Sequence, residues 1–179
     1  YILEDTNDGY TNGTFYKYPD DFTSDINSAN ENIRAIALLK NKNIKDAVIE
    51  KSSVRINQTL ENAITTSALT NNHQSEINLY KLLGTSDRIV LDKKYILKSD
   101  VVLHYNPSYR YVGSEIEIFY PHCINIVGND LTIDPNFVLN TSYDNYNDHG
   151  QLLQTTNANN ASTSTIWGFN SALPIASVS

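Results

Sequence analysis

The chain has 179 residues, no Met anywhere, and Tyr as its first residue, so it is expected to be a processed product or an excerpt of a longer protein. It has one cysteine, Cys123. A single thiol cannot close an internal disulfide, which excludes a stapled miniprotein and leaves burial or association to hold the fold. A catalytic Cys123 would call for an ordered His, and the adjacent His122 would point the other way on a strand; a small buried apolar residue is the plainer reading. Basic residues are scarce: 13 Lys and Arg against 20 Asp and Glu give a net charge of -7. That balance opposes a broad hold on nucleic acid or anionic lipid. Long apolar runs are missing too. Ile36 to Leu39 and Val101 to Leu103 fall far short of the roughly 20 residues that a spanning helix needs, and no signal-peptide pattern opens the chain. Nucleic acid and membrane are therefore set aside as partners.

Glycine (7) and proline (5) are few, and neither occurs from Asp21 to Leu83. Within that span apolar residues recur at Ile26, Ala29, Ile33, Ile36, Ala37, Ile44, Ala47 and Val48, then less regularly to Leu69. Spacings of three and four mark one face of a helix, with Thr23 or Ser24 as N-cap and breaks near Asn41 to Asn43 and Asn71-Asn72. The stripe is narrow and interleaved with Lys40 and Lys51, so Ile26, Ile33, Ile36, Ile44 and Val48 are expected to face partner chains, with a two- or three-helix bundle within the one chain as the alternative.

After Gly84 the hydrophobic period falls to two. Short strands are expected at Arg88 to Leu91, Tyr95 to Leu97, Val101 to Leu103, Glu115 to Tyr120, Cys123 to Val127, Leu131 to Ile133 and Phe137 to Leu139. The breaks Asp92-Lys93-Lys94 and Gly128-Asn129-Asp130 read as corners between the sides of a solenoid, with a small hairpin-closed sandwich or barrel as the other all-β solution. Before the helical span, Asp8-Gly9 and Asn12-Gly13 supply turn chemistry, so residues 1 to 23 read as short extended pieces or a loop.

The run Ile77 to Gly84 followed by Arg88 to Leu97, together with Cys123 to Asp134, resembles the entry and first coil of pectin-lyase-like right-handed β-helices. Bacteriophage tailspikes place such a helix after a helical neck. The resemblance covers about residues 77 to 139 and implies an α+β architecture. Residues 1–23 would form a particle-attachment or linker segment, 24–83 a helical neck, and 84–179 the first coils of a parallel β-helix. It further implies a homotrimer on a virion or in an extracellular setting, in contact with other phage tail or baseplate proteins and with bacterial surface polysaccharide. The function expected on that basis is structural or adhesive; a polysaccharide-degrading β-helix enzyme and a cellular extracellular glycoprotein are the alternatives. No catalytic motif of the family is carried over.

Candidate chemistry is sparse. Glu115 and Glu117 share one strand face, but such carboxylates stand about 7 Å apart in solvent with nothing to raise one pKa, as an acid-base pair of a glycosidase requires. Asp130, Asp134, Asp144 and Asp148 lack calcium-loop spacing and suit turn capping. The histidines His73, His104, His122 and His149 show no zinc spacing, so neither metal nor cofactor is called for. Sequons at Asn12, Asn57, Asn140 and Asn160 are about as many as an Asn-, Ser- and Thr-rich chain carries by chance. Twelve Tyr and a lone Trp suit flat sugar- or protein-binding surfaces. Trp167, with Tyr143 and Tyr146, is the candidate glycan or partner contact.

Overall fold

A computed structural model describes residues 2–5, 11–56, 70–98, 103–105, 108–112, 115–119, 123–168 and 172–178. In chain order the elements are β1 (Ile2–Asp5), β2 (Thr11–Lys17), a 3-10 turn (Pro19–Asp21), helix α1 (Glu31–Asn41), β3 (Glu50–Ile56), β4 (Thr70–Leu82) and β5 (Ile89–Leu97). They continue as β6 (Leu103–Tyr105), β7 (Ser108–Val112), β8 (Glu115–Phe119), β9 (Ile124–Val127), β10 (Asp130–Ile133), β11 (Phe137–Tyr146), β12 (Leu152–Asn157), β13 (Ser162–Gly168) and β14 (Leu173–Val178). Ten strands form one sheet in the order β1-β2-β3-β4-β5-β11-β12-β13-β14, with β6 beside the start of β4. The sheet is thus a meander into which two hairpins, β7-β8 and β9-β10, are inserted between β5 and β11.

Every strand pair among the described residues is antiparallel. This overturns the expected parallel β-helix, and the segments that suggested it show why. Gly128-Asn129 is not the corner of a coil. It is the two-residue turn of a hairpin in which Val127 pairs with Asp130 and Ile124 with Ile133. Gly128 supplies the positive φ of 60° that such a tight reversal demands at its first central position. The expected corner at Asp92 is a bulge inside one continuous strand: Leu79 pairs with Lys93 and Tyr80 with Leu91, leaving Asp92 as the extra residue. Ile77 to Leu82, expected within the helical neck, lies within β4. Asn12 and Gly13, expected in a turn, sit in β2 opposite Arg55 and Val54.

The helical neck expected over residues 24–83 reduces to α1, because β3 and the whole of β4 fall within the same span. Its ends are set by asparagines. The Asn30 side chain, not Thr23 or Ser24, is the N-cap and accepts from the amides of Asn32 and Ile33. Asn43, at φ 56°, closes the other end: its amide donates to Lys40 O at 3.0 Å and the Ile44 amide to Leu39 O at 3.0 Å. That is a Schellman stop, with Asn in the left-handed position usually held by Gly.

Helix α1 lies on one face of the sheet, against β4 and β5. Ile36 and Leu39 join Phe22, Ile49, Ile77, Leu79, Leu97, Cys123, Ile124 and Phe137 in one buried cluster. Cys123 is accordingly a free, buried core thiol. The β9-β10 hairpin closes over the same face and is latched to the segment before α1, where Ser28 Oγ donates to Asn129 Oδ1 at 2.7 Å and the Ala29 amide to the same oxygen at 3.0 Å. Ile33 and Ile36 are fully buried by their own chain. They are therefore not the trimer surface expected of them; of that stripe Ile26 and Ile44 are exposed and Val48 is half-buried. Burying each isoleucine contributes about 1.5 to 3 kcal/mol, so the covering sheet supplies the burial that a partner helix was invoked to provide.

Candidate functional site

Two polar knots lie on the covered side. Strand pairing puts Lys17 opposite Glu50, and both are carried into the interior by the alternation that buries Phe15 and Ile77. Lys17 Nζ stands 3.1 Å from Glu50 Oε2, with the two side chains 12% and 4% exposed. Glu50 Oε1 accepts from the Ile124 amide at 2.7 Å, tying β3 to β9. Burial pushes the Glu50 carboxyl above its ordinary range and the Lys17 ammonium below its own, with each partner's charge opposing the shift. Ile124 caps the carboxylate from within the protein, so the pair is built as a brace between layers.

The second knot gathers around the Asp92 bulge. Asp92 accepts from Asn32 Nδ2 of α1 at 2.9 Å, and its other oxygen lies 3.3 Å from Lys81 Nζ. Lys81 also donates to Tyr143 O at 2.8 Å and sits 5.7 Å from the centre of the Tyr146 ring. The Tyr146 hydroxyl donates to Leu91 O at 2.7 Å, and burial pushes its pKa up. Tyr143 and Tyr146, expected as glycan contacts, thus stitch β11 to β4 and β5 and are half-buried. Trp167 is half-buried as well, with its indole N–H donated to Leu152 O at 2.8 Å. Leu152 stands opposite Tyr146 in the ladder, so Trp167 and Tyr146 are both anchored at Leu152.

The asparagine-rich tail has a similarly local explanation. Asn147 Oδ1 accepts from the amides of His149 and Gln151, and Asn157 Oδ1 from those of Asn159 and Ala161. The two turns repeat one design, with Gly150 at φ 80° and Asn160 at φ 61° in matching positions. Asp134 and Asp144 are likewise engaged, accepting from the Asn136 amide and from Thr156 Oγ1. No group of three His, Cys, Asp or Glu that could hold a metal ion occurs among the described residues. Glu115 and Glu117 fall in β8, opposite Val112 and Arg110; His122 lies outside the described residues. Among the described residues no helix is long and apolar enough to cross a membrane.

The face turned away from α1 carries the feature that sequence reading missed. There β3, β4 and β5 form an open groove of about 380 Å³ lined by Lys51, Ser53, Gln74, Glu76 and Ile96, with Ser75 and Leu97 in its floor. Register builds it: Lys51 stands opposite Glu76, Ser53 opposite Gln74, and Ile96 opposite Glu76 on the other side. The neighbouring strand adds Tyr16 opposite Lys51 and Thr14 opposite Ser53, and the Tyr16 ring stacks on Tyr18 at 6.4 Å between centroids. Glu76 is paired with Lys94 at 2.6 Å, both side chains 30% exposed, so its charge is locally balanced. The groove offers an amide, hydroxyls, a neutralised ion pair, the Lys51 ammonium and one apolar wall beside an aromatic ring.

Comparison with protein families, with curated proteins and with solved structures finds no match for this chain.

Proposed function

We propose that this chain is an adhesive module, binding rather than catalytic, whose open sheet face takes a neutral, hydroxyl-rich polymer such as a surface polysaccharide. The observation that carries the reading is the groove over β3, β4 and β5, in which Ser53, Gln74 and the Glu76–Lys94 pair present donors and acceptors beside the single ammonium of Lys51. Sugars are held by such directed hydrogen bonds combined with packing of their C–H faces on an aromatic ring, which Tyr16 supports from the adjacent strand. The strong ionic groups of the covered side are engaged in bracing the layers. The adhesive role is retained from the tailspike resemblance; the coiled architecture that suggested it is not.

Titration of the chain with neutral and acidic oligosaccharides, followed by backbone amide shifts, tests the proposal. Neutral sugars are expected to move the resonances of residues 51–53 and 74–76, and Gln74→Ala and Tyr16→Ala each to weaken binding about ten-fold, a loss on the order of one good polar or stacking contact. Shifts confined to other parts of the sheet, or binding untouched by both variants, would overturn the assignment. Release of reducing ends from the polymer would replace adhesion with cleavage.

A further inference from the structure

The groove holds one charge more than it balances. Strand pairing sets Tyr16, Lys51, Glu76, Ile96 and Val138 in one row across the sheet, each directly opposite the next. A Lys and a Glu opposite each other on one face ordinarily attract each other. Here Glu76 is taken from the other side by Lys94, 2.6 Å away, and among the described residues Lys51 has no ion-pair partner. Two ammonium groups thus share one carboxylate, which leaves a surplus positive charge on this face of a chain whose net charge is -7. The Tyr16 ring lies on one side of that charge, and the apolar pair Ile96 and Val138 closes the row on the other.

We infer that Lys51 receives a single anionic group, a carboxylate or a sulfate ester, carried as a substituent on the otherwise neutral polymer of the groove; this rests on the glycan reading above. An ammonium is a compact point charge with three donors, so it selects a ligand by charge and not by planar shape. Its hydrogen bonds to an ionised acceptor are stronger than those between neutral groups. The net charge of -7 sets the density of such substituents: a polyanion is repelled by the body of the protein, whereas one charge lodged at Lys51 is met locally. Ser53 and Gln74 lie one same-face step along their strands from Lys51 and Glu76, about 7 Å away. The charged group and the hydroxyls held by Ser53 and Gln74 therefore belong to the same sugar or to adjoining ones.

Titration calorimetry with four forms of one glucan oligosaccharide tests this: the neutral sugar, the forms carrying one C6 carboxylate or one C6 sulfate, and the methyl ester of the carboxylate. At low ionic strength the tighter of the two charged forms, which names the substituent, is expected to bind about five-fold more tightly than the neutral sugar and the ester, as one partly exposed ion pair provides. Added salt is expected to erase that preference. Lys51→Gln should abolish it and Lys51→Arg should keep it. Lys40→Gln removes the same charge from an exposed position in the last turn of α1, on the opposite face, and should also keep it. Circular dichroism checks that all three variants fold. Equal affinities for the four forms, or equal effects of Lys51→Gln and Lys40→Gln, would overturn this inference and leave the glycan reading standing; no binding of any form would overturn both.

Discussion

The two ends of the sheet obey different rules although one hydrogen-bond ladder runs through both. From β2 to β5 the strands are roofed by α1 and by the β9-β10 hairpin, and their inward side chains include Ile77 at 0% and Leu79 at 3% exposure. From β12 to β14 no residue is fully buried, and all six positions of β14 are exposed. Backbone pairing is thus common to both regions, while apolar burial is concentrated in one. Net stability follows burial, because hydrogen bonds exchanged with water contribute little in sum. The roofed half is therefore the stable unit, and the outer strands borrow their order from it.

The sharpest break in that comparison is expected at the buried ion pair. Lys17→Met strands the Glu50 carboxylate in the interior and is expected to cost about 3 to 5 kcal/mol in denaturant unfolding at neutral pH, whereas Lys17→Met combined with Glu50→Gln returns to within about 1 kcal/mol of wild type or above it. The pH dependence has a definite sign. Because the Glu50 pKa is raised on folding, the carboxyl's contribution is complete below its unfolded value of 4.5 and is lost as pH rises through the folded value. Lys17→Met should therefore recover stability relative to wild type on acidification from neutral toward pH 4.5.

Next in size, Ile36→Ala in the roofed half is expected to cost about 2 to 5 kcal/mol, because a fully enclosed site leaves a cavity. Ile166→Ala in the outer half should stay within about 0.5 kcal/mol in the same assay. If the two losses were similar, the division into roofed and borrowed halves would be wrong. A smaller effect is expected at the helix start: Asn30→Ala leaves two amides without their acceptor and should cost about 1 kcal/mol. The comparison is sharpened without mutation by amide exchange. Protection along β3 and β4 should approach the global unfolding limit, with β13 and β14 exchanging by smaller openings.

How much of this was legible in the sequence depends on which residues are asked. The helical stripe at Ile33, Ile36 and Ala37 was readable, since a 3.6-residue period has few other causes. Its extent was not: Ile44 and Val48 continue the spacing by chance, while Asn30 and Asn43 end the helix through cap geometry, and Asn also suits loops and strand ends. The lack of Gly and Pro over Asp21 to Leu83 suggests continuity, yet strands need neither residue inside them. Ser75, Ile77 and Leu79 alternate at the strand period and were available as the signal for β4, and with it for the groove. Gly128-Asn129 reads as a coil corner and is a hairpin turn; whether a turn returns the chain beside itself or advances it to a new layer is decided by long-range pairing that no local residue encodes. Tyr146 and Trp167 stand out by residue type, and their hydroxyl and indole partners are carbonyls whose positions only the fold supplies.

The roof itself has a kinetic consequence. Its hairpin is held by contacts that join residues very far apart in the chain: Glu50 to Ile124, 74 positions apart, and Ser28 to Asn129, 101 positions apart. Loops of that length must be closed before either contact returns any free energy, whereas β2-β3-β4-β5 and the β11-β14 meander form from neighbours in sequence. The hairpin should therefore arrive after the sheet has formed. Asn129→Ala is then expected to speed unfolding while leaving the folding rate nearly unchanged, so that the lifetime of the closed roof is set by a contact the folding transition state has yet to make.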